Sequence, residues 1–580
     1  MVAVKGPWGI IVKRWLIILP LICAACATRA PVPLATATGA PAIVSAADPR
    51  AAEAGRSMLR QGGSAMDAMG AMLLALTVVE PQSSGIGGGG LLVYQAAGGT
   101  TPATFDGRET APQATGPALF LDADGKPLST KIAIPGGRSV GVPGNLAMLK
   151  LAHARFGKLA WAKLFEPAIA LAEGGFTISP RLASAIAAKR EILSRQPAAA
   201  ALFLNADGSG KVAGTRFVNP ALGATLRTIA ANGPEAFYAG SIAADIVHAV
   251  QAAPTNPSTM VARDLTLYRA HERAPVCTAY RAWRVCSIGP PSAGGIAVLA
   301  ILKQLEGFDL EALGVGNPVS WHVLAESERL AFADREAYGG DADFVNVPVK
   351  GMTDAGYLRG RGALIHADRT LASAPAGLPP GAPKRVVGPG AEIPSTTSFA
   401  AADARGDVAS LTSTVEGGFG SGLVSGGFVL NNELTDFNFV PNVGGVSVAN
   451  RVEPGKRPRS SMAPTLVYDR SGHVVLAIGA AGGPTIPAQV AKSIIGVLDW
   501  KLPVQDAIAL PVMMVFGDAL VIEDGPQGAR LAAMQPALKA LGHARSIVTA
   551  LPYKANGIER IGSGWRGGAD PRSEGVALGL

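Results

Sequence analysis

Apolar residues recur at helical spacing in several long stretches of the chain, and glycine or proline ends most of these stretches. Residues 47–62 predict one helix, and Ser64 is the expected N-cap of a second helix that Pro81 stops. The same spacing predicts further helices over residues 144–174, 221–252 and 319–338. Strand-like stretches lie between these helices, so the pattern predicts a mixed α/β fold.

Shorter stretches with alternating apolar residues predict the strands. A glycine-rich segment ends at Gly90 and leads into a predicted strand over Leu91–Gln95. Beyond residue 396, strands are predicted over Thr397–Asp403 and Val408–Val415, joined by a turn at 404–406. Residues 370–395 are rich in Ala, Pro and Gly, so we expect an exposed connection that runs directly into the first of these strands.

Composition and charge narrow the class of protein. Of the 580 residues, 48% are hydrophobic, which supplies enough material for a large core and excludes a disordered chain. The net charge is +8, but lysine and arginine are scattered, and no basic run is longer than Lys456–Arg459. A nucleic-acid partner is therefore not expected. The seven histidines are isolated, so neither a metal site nor a cofactor is predicted.

The N-terminus has the pattern of an export signal. Basic residues precede an apolar stretch from Trp15 to Ala25, which is shorter than the roughly 20 residues of a membrane span. We expect residues 1–27 to be a signal peptide, cut either before Cys26, which would then carry lipid, or after Ala27. A membrane-anchoring helix is the alternative. Residues 28–41 are expected to form a mobile tether, and the protein is expected in the periplasm.

Two cysteines outside the signal flank a β-rich stretch. Cys277 and Cys286 enclose residues 278–285, which predict a hairpin. An oxidising compartment would allow a disulfide between the two strands. Two buried free thiols are the alternative.

Three segments are candidates for the chemistry. Residues Gly85–Gly90 match GxGxxG, but they precede a strand, whereas a dinucleotide site requires a strand before and a helix after. A close-packed backbone crossing is the simpler interpretation. Gly137–Gly141 match GxSxG around Ser139, but the direct strand-to-helix turn of a serine hydrolase is interrupted before Pro143.

Thr396 is the third candidate. A threonine hydroxyl becomes a useful nucleophile when a neutral α-amine lies beside it, and a cut between Ser395 and Thr396 would create that amine. The exposed connection before Thr396 and the strand after it suit such a cut. A solvated strand edge is the alternative.

Taken together, the motifs give the chain a strong resemblance to one family from about residue 45 to its C-terminus. It resembles the γ-glutamyltranspeptidases (γ-glutamyltransferases), which are N-terminal-nucleophile hydrolases. The motifs that carry the resemblance, in family order, are Val78–Gly90, Asp106–Pro112, Gly141–Gly144, Pro290–Gly295, Ala333–Arg335, Thr396-Thr397, Arg457–Met462, Gly482-Gly483 and Asp570–Ser573.

The resemblance implies a four-layer αββα sandwich in which two self-cleaved segments make one core. Residues 42–395 would form the large subunit and 396–580 the small catalytic subunit. Thr396 would attack a γ-glutamyl amide, and Thr414 would hydrogen-bond the nucleophile. The backbone N–H groups of Gly482 and Gly483 would hold the oxyanion.

The resemblance also implies the substrate contacts. Arg108, Ser460 and Ser461 would bind the α-carboxylate, and Glu433 and Asp436 would bind the α-ammonium. Glutathione and other γ-glutamyl compounds would donate the acyl group to water, an amino acid or a dipeptide. The segment between Asp436 and Arg457 is short for a covering lid, so we expect hydrolysis to compete with transfer.

Two positions depart from the family pattern. Ser398 replaces a frequent histidine, which we expect to affect packing. Glu416 replaces asparagine and would either repel the α-carboxylate or add a third anion around the ammonium. The first possibility motivates the alternative of a glutaryl-type (cephalosporin) amide acylase. Two further alternatives are an uncleaved, silent binding lipoprotein and an esterase that uses Ser139.

Overall fold

The computed structural model describes residues 38–388, 390, 395–550 and 553–580. The signal peptide with Cys26, most of the tether and residues 391–394 before the predicted cut lie outside the described residues. The strands are, in chain order, β1 (Thr38–Ala40), β2 (Ile43–Ala46), β3 (Gly89–Gln95), β4 (Ala103–Gly107), β5 (Phe176–Thr177), β6 (Arg216–Phe217), β7 (His271–Arg273), β8 (Pro275–Tyr280), β9 (Trp283–Ile288), β10 (Thr397–Ala402), β11 (Val408–Thr414), β12 (Val424–Ser425), β13 (Phe428–Val429), β14 (Asn442–Val443), β15 (Val446–Ser447), β16 (Thr465–Tyr468), β17 (Val474–Ala481), β18 (Met513–Phe516), β19 (Ala519–Glu523), β20 (Ser546–Thr549), β21 (Lys554–Ile561), β22 (Gly564–Ala569) and β23 (Val576–Gly579).

The α-helices are, in the same order, α1 (Pro49–Arg60), α2 (Ala65–Val79), α3 (Thr130–Ala133), α4 (Asn145–Phe156), α5 (Glu166–Gly174), α6 (Pro180–Ala188), α7 (Arg190–Leu193), α8 (Pro197–Phe203), α9 (Pro220–Asn232), α10 (Glu235–Tyr238), α11 (Gly240–Gln251), α12 (Ala262–Leu267), α13 (Gly294–Gln304), α14 (Leu310–Leu313), α15 (Pro318–Tyr338), α16 (Val349–Met352), α17 (Ala355–Gly362), α18 (Ile486–Leu498), α19 (Val504–Ala509), α20 (Ala529–Ala532) and α21 (Gln535–Ala540). Within the described ranges, no helix combines the length and the apolar character needed to cross a membrane.

Two seven-stranded antiparallel sheets form the centre of the molecule. Their strand orders are β1-β22-β21-β17-β16-β9-β8 and β23-β2-β10-β11-β3-β4-β7. The sheets pack face to face through β10 and β11 on one side and β17 and β21 on the other. Helices α1 and α2 cover the outer face of the second sheet, and α13 and α18 cover the first. The predicted αββα layering is confirmed.

Alternation along β3 explains how both faces of a central strand are buried. Leu91 and Val93 face the opposite sheet, whereas Leu92 and Tyr94 face the covering helices. The apolar core therefore forms two large clusters, one on each side of this sheet. Each cluster contains residues from both sides of Thr396, so the two segments share their core.

The predicted helices are present, but two of them are divided. The stretch predicted over 144–174 breaks between α4 and α5, where Gly157 adopts an extended conformation and caps α4. The stretch predicted over 221–252 becomes α9, α10 and α11, because Gly233 at φ 78° and the following Pro234 end α9. Ser64 caps α2 as predicted.

The predicted tether is too long at its C-terminal end. Thr38 and Ala40 pair with Arg566 and Trp565, so these residues form the edge strand β1. Small side chains at this edge let the backbone approach its neighbour closely, which the composition of the tether does not reveal.

The predicted hairpin contains a disulfide. Cys277 on β8 and Cys286 on β9 are paired directly across the two strands, and their Cα atoms lie 4.1 Å apart. Cys286 is fully buried against the neighbouring strand β16.

Candidate active site

The β10–β11 hairpin brings the candidate nucleophile beside its expected partner. Thr397 pairs with Ser413, so Thr396 and Thr414 lie side by side at the end of the hairpin. The Thr396 hydroxyl donates a hydrogen bond of 3.1 Å to the Thr414 hydroxyl oxygen. That oxygen also accepts the N–H of Glu416 at 2.8 Å. Thr396 is only 3% exposed, so its hydroxyl is held in one place by the protein.

The backbone at Thr396 is strained. Its φ is +115°, a conformation that a β-branched residue rarely adopts. The preceding residue is fixed as well, because the Ser395 hydroxyl donates to the Gln82 carbonyl at 3.0 Å. Strain at such positions costs on the order of 1–3 kcal/mol and is concentrated at functional sites. Here it falls on the residue that directly follows the peptide bond that the predicted cut would break.

The two glycines that follow β17 lie opposite this peptide bond. The Gly482 N–H donates to the Ser395 carbonyl oxygen at 3.3 Å. Gly482 and Gly483 have φ values of +131° and +58°, which favour glycine. The Thr485 hydroxyl donates to the Gly482 carbonyl, and the Gln489 amide donates to the Ala481 carbonyl. The loop is therefore held with an N–H group directed at the carbonyl of residue 395.

Arg108 follows β4 and is buried at the other end of the site. Its side chain donates to the carbonyls of Pro458 (3.1 Å) and Arg459 (2.8 Å). It also donates to the carboxylates of Glu433 and Asp436. Four of the five guanidinium N–H groups therefore already have acceptors within the protein. The bidentate contact with a substrate that the sequence suggests is not preformed in this uncut chain.

Carboxylates surround this arginine. Oxygen atoms of Glu416, Glu433 and Asp436 all lie within 4.8 Å of one another. Glu109 lies behind them, with its carboxylate 3.9 Å from the Arg108 guanidinium. Burial, followed by repulsion between the acids, raises the pKa of Glu109 to about 7 and the pKa of Glu433 well above its usual value. The Glu109–Glu433 pair therefore retains a proton at neutral pH.

The two serines, Ser460 and Ser461, line the same cavity as Thr396 and Arg108. The Ser461 hydroxyl oxygen accepts from the Arg335 guanidinium at 2.5 Å, and the Ser460 hydroxyl oxygen accepts from the Met462 N–H at 3.1 Å. The Ser460 carbonyl accepts from the Ala293 N–H at 3.0 Å, which fixes the pair against the start of α13. Donated hydrogen bonds to both oxygens orient the hydroxyl groups.

The predicted site residues meet at one small cavity. Gly482 borders it through the contact with Ser395. The lining residues are Arg108, Thr396, Thr414, Glu416, Glu433, Asp436, Ser460, Ser461, Met462, Gly483 and Ile486. A nucleophile, hydrogen-bond donors for a carbonyl oxygen, and charged groups of both signs therefore converge on one space.

The other two candidate segments have different roles. A Cβ on Gly88 would overlap the carbonyl oxygen of Thr414, so the glycine segment is the close-packed crossing beside the site that its pattern suggested. Ser139 is fully buried in a short 3₁₀ turn, and its hydroxyl donates to the Ile134 carbonyl at 2.6 Å. This geometry offers no support for an esterase nucleophile.

The structure also locates the two unusual positions. Ser398 is buried between the sheets, and its hydroxyl donates to the Leu411 carbonyl. The same hydroxyl lies where a side chain on Gly479 would have to be, so the two residues pack closely. Glu416 is buried with φ +71° at the mouth of the hairpin. The segment from Asp436 to Arg457 contains the exposed hairpin β14–β15.

Sequence reasoning missed several residues that support the site. Asn431 holds the crossing together, because its amide group donates to the carbonyls of Gly87 and Gly141 and accepts the Glu433 N–H. Arg335 was part of a quoted motif but had no assigned role. A signal was available for Glu109, since it follows Arg108 directly, but only the fold shows that it lies against Glu433.

Comparison with known proteins agrees with this geometry. The γ-glutamyltranspeptidase family model matches residues 51–580. A glutathione hydrolase proenzyme of Bacillus subtilis is 37% identical over 482 residues, which cover 82% of this chain and 80% of that protein. An acylase ACY 1 proenzyme of a Pseudomonas species is 35% identical over 90% of each chain. The crystal structure of a cephalosporin acylase from Bacillus halodurans matches with a TM-score of 0.82 and 25% identity, over 97% of this chain and 99% of that one. The chain belongs to the γ-glutamyltranspeptidase family.

Proposed function

We propose that this protein is a self-cleaving γ-glutamyl hydrolase and transferase that uses glutathione and related γ-glutamyl amides. The observation that carries the proposal is the cavity in which the Thr396–Thr414 pair faces Arg108 and three carboxylates. A hydroxyl nucleophile suits acyl transfer, and paired charges suit the α-carboxylate and α-ammonium of a glutamyl group. The names of the glutathione hydrolase relatives add support.

Self-cleavage would begin at the Ser395–Thr396 bond, next to the strained backbone torsion of Thr396. The Thr396 hydroxyl oxygen attacks the Ser395 carbonyl carbon while the Gly482 N–H stabilises the developing oxyanion. The C–N bond breaks, its nitrogen takes the hydroxyl proton, and an ester joins residues 395 and 396. Water then hydrolyses the ester, which frees the Thr396 α-amine and the Ser395 carboxylate and leaves the large and small segments folded together.

Turnover would use the freed amine as the base. The Thr396 α-amine removes the hydroxyl proton as the oxygen attacks the γ-carbonyl carbon, and it returns that proton to the departing amine. Water or the amine of an acceptor then attacks the resulting ester in the same way. An amino acid or a dipeptide would serve as the acceptor.

Glu416 is the residue that bears most on the choice between glutamyl and glutaryl groups. Its carboxylate lies with those of Glu433 and Asp436, on the side of the cavity assigned to the substrate ammonium. Even with the proton that the Glu109–Glu433 pair retains, this acidic cluster favours a cation over the bare methylene group that a glutaryl substrate would present there. A glutaryl-type acylase is the second candidate. Its support is that the chain resembles, over most of its length, one acylase in sequence and another in structure.

The two candidates are separated by competing substrates on the purified, cleaved protein. We expect kcat/KM for a γ-glutamyl anilide to exceed that for the matched glutaryl anilide by at least tenfold. The Thr396→Ala protein, which should stay uncut, gives the background rate of hydrolysis for both anilides. Preference for the glutaryl compound would replace the proposal with the acylase, and ligand binding without any cleavage would favour the silent binding protein.

We propose further that the protein is exported, with residues 1–27 as its signal, cut either before a lipidated Cys26 or after Ala27. The support is the sequence pattern of the N-terminus alone. Fractionation of cells that carry the wild-type or the Cys26→Ala gene tests this proposal. Release of only the variant from the membrane fraction supports lipidation, and soluble periplasmic wild type supports simple cleavage after Ala27.

A further inference from the structure

A buried ion pair lies next to the nucleophile's strand but does not line the cavity. The Lys554 ammonium group lies 2.8 Å from the Glu80 carboxylate and 3.1 Å from the Ser83 hydroxyl oxygen. Lys554 and Glu80 are 1% and 2% exposed. Burial lowers the pKa of Lys554 to about 8. Burial would raise the pKa of Glu80, but the charges of Lys554 and Arg181 outweigh it and lower that pKa.

The lysine end of the pair is attached to the oxyanion loop. Lys554 is the first residue of β21, and its backbone pairs with Ala481 at the end of β17. Gly482 follows Ala481 directly, and its N–H contacts the Ser395 carbonyl. A shift of the Lys554 backbone would therefore move the N–H group that faces the bond to be cut.

The glutamate end lies on a turn that contacts the nucleophile's segment. Glu80 follows α2, and its carbonyl accepts the Ser83 N–H at 2.9 Å in the turn whose Gln82 carbonyl accepts the Ser395 hydroxyl at 3.0 Å. Ser83, the second acceptor of the lysine, uses its carbonyl to accept the Val415 N–H at 3.2 Å, immediately after Thr414. Through this turn, the pair joins the residues that flank both strands of the nucleophile's hairpin, Ser395 and Val415, to the strand end that carries the oxyanion loop.

We propose that the Lys554–Glu80 pair is a positioning clamp that holds Thr396 in register with the Gly482 N–H during self-cleavage and turnover. This inference rests on the proposed function. A buried pair is expensive to desolvate and is often replaceable by apolar residues without loss of stability. Its presence here fits a requirement for geometry, because the ammonium group has two fixed acceptors on the turn after α2 and its backbone belongs to β21.

The test separates geometry from stability. Lys554→Met leaves a buried carboxylate, so it should lower stability as well as slow self-cleavage by at least tenfold. The double variant Glu80→Gln/Lys554→Met removes both charges and should recover most of the lost thermal stability. A clamp predicts that self-cleavage of the double variant stays at least tenfold slow, and that kcat of its cleaved fraction falls tenfold while KM changes less than twofold.

Lys492 provides the matched control. It is also a buried lysine, and its ammonium group donates to the Ile508 and Leu510 carbonyls at 2.9 and 3.1 Å, away from the hairpin. Lys492→Met should lose stability but cleave at the wild-type rate once folded. Wild-type cleavage by the double variant would overturn the clamp and leave the proposed function intact. An uncut wild-type protein would overturn both.

Discussion

The two ends of the cavity consist of different chemical groups. The nucleophile end consists of the Thr396 and Thr414 hydroxyls and the Gly482 N–H, joined by neutral hydrogen bonds of 3.1–3.3 Å. The recognition end consists of Arg108 with the carboxylates of Glu433 and Asp436. Under the proposed function, the first end would act on any amide that is brought to it, including the chain's own. The second end would select the acyl group, so cleavage and specificity should be separable by mutation.

Removal of the nucleophile should have the largest effect. Thr396→Ala lacks the attacking oxygen, so it should stay a single chain and lose at least about 10³-fold in activity towards γ-glutamyl amides. Gel electrophoresis and anilide hydrolysis measure the two effects. Ser139→Ala is the control and should match the wild type in chain cleavage and in anilide hydrolysis. Loss of activity in this variant would support the alternative of an esterase that uses Ser139.

A substitution at Arg108 should separate the two ends of the cavity. A lysine cannot reproduce the four hydrogen bonds of this guanidinium, so Arg108→Lys should lower kcat/KM for γ-glutamyl substrates about 10²-fold. Self-cleavage should remain within twofold of wild type, because the nucleophile end is unchanged. A time course of chain cleavage beside steady-state kinetics tests this, and equal losses in both would show that the ends are not separable.

Glu416 should change specificity more than rate. Glu416→Gln removes one carboxylate from the cluster around the substrate ammonium, so kcat/KM for the γ-glutamyl anilide should fall about tenfold, or about 1.4 kcal/mol. The value for the glutaryl anilide should stay level or rise. A ratio that moves towards the glutamyl compound would mean that Glu416 repels the α-carboxylate instead of attracting the ammonium.

The smallest effect on activity is expected at Glu109, where stability changes instead. The pKa of Glu109 is raised to about 7, so the folded protein keeps a proton that the unfolded chain loses near pH 4.5. The free energy of unfolding should therefore fall as pH rises from 4.5 to 7. Glu109→Gln should flatten this dependence by about 1–3 kcal/mol between pH 5 and pH 8. Urea unfolding at pH 5 and at pH 8 measures this dependence. The same dependence in the variant and in the wild type would mean that another group holds the proton.

Sequence patterns predicted local elements better than their arrangement. The start of α2 and the β10–β11 hairpin followed from a cap residue, alternation and a turn. The breaks at Gly157 and Gly233 were missed, because apolar spacing continues across them. Strand β1 was missed because its residues have little hydrophobic signal of their own and depend on pairing with β22.

The chemistry of the site was only partly predictable. Family motifs predicted residues from separate segments that the structure brings to one cavity, while their roles stay predictions. The Glu109–Glu433 proton sharing and the Lys554–Glu80 pair could not be predicted, because each joins residues more than 300 positions apart. Such contacts are set by the packing of layers, and no local pattern encodes them.

The central claim is that the chain cuts itself before Thr396, and intact mass with N-terminal sequencing of the purified protein tests it most directly. We predict a fragment of about 19 kDa, from the mean residue mass of the chain, that begins Thr-Thr-Ser-Phe and covers residues 396–580. The Thr396→Ala protein should give only the uncut chain. A folded wild-type protein that also remains a single uncut chain would contradict the account.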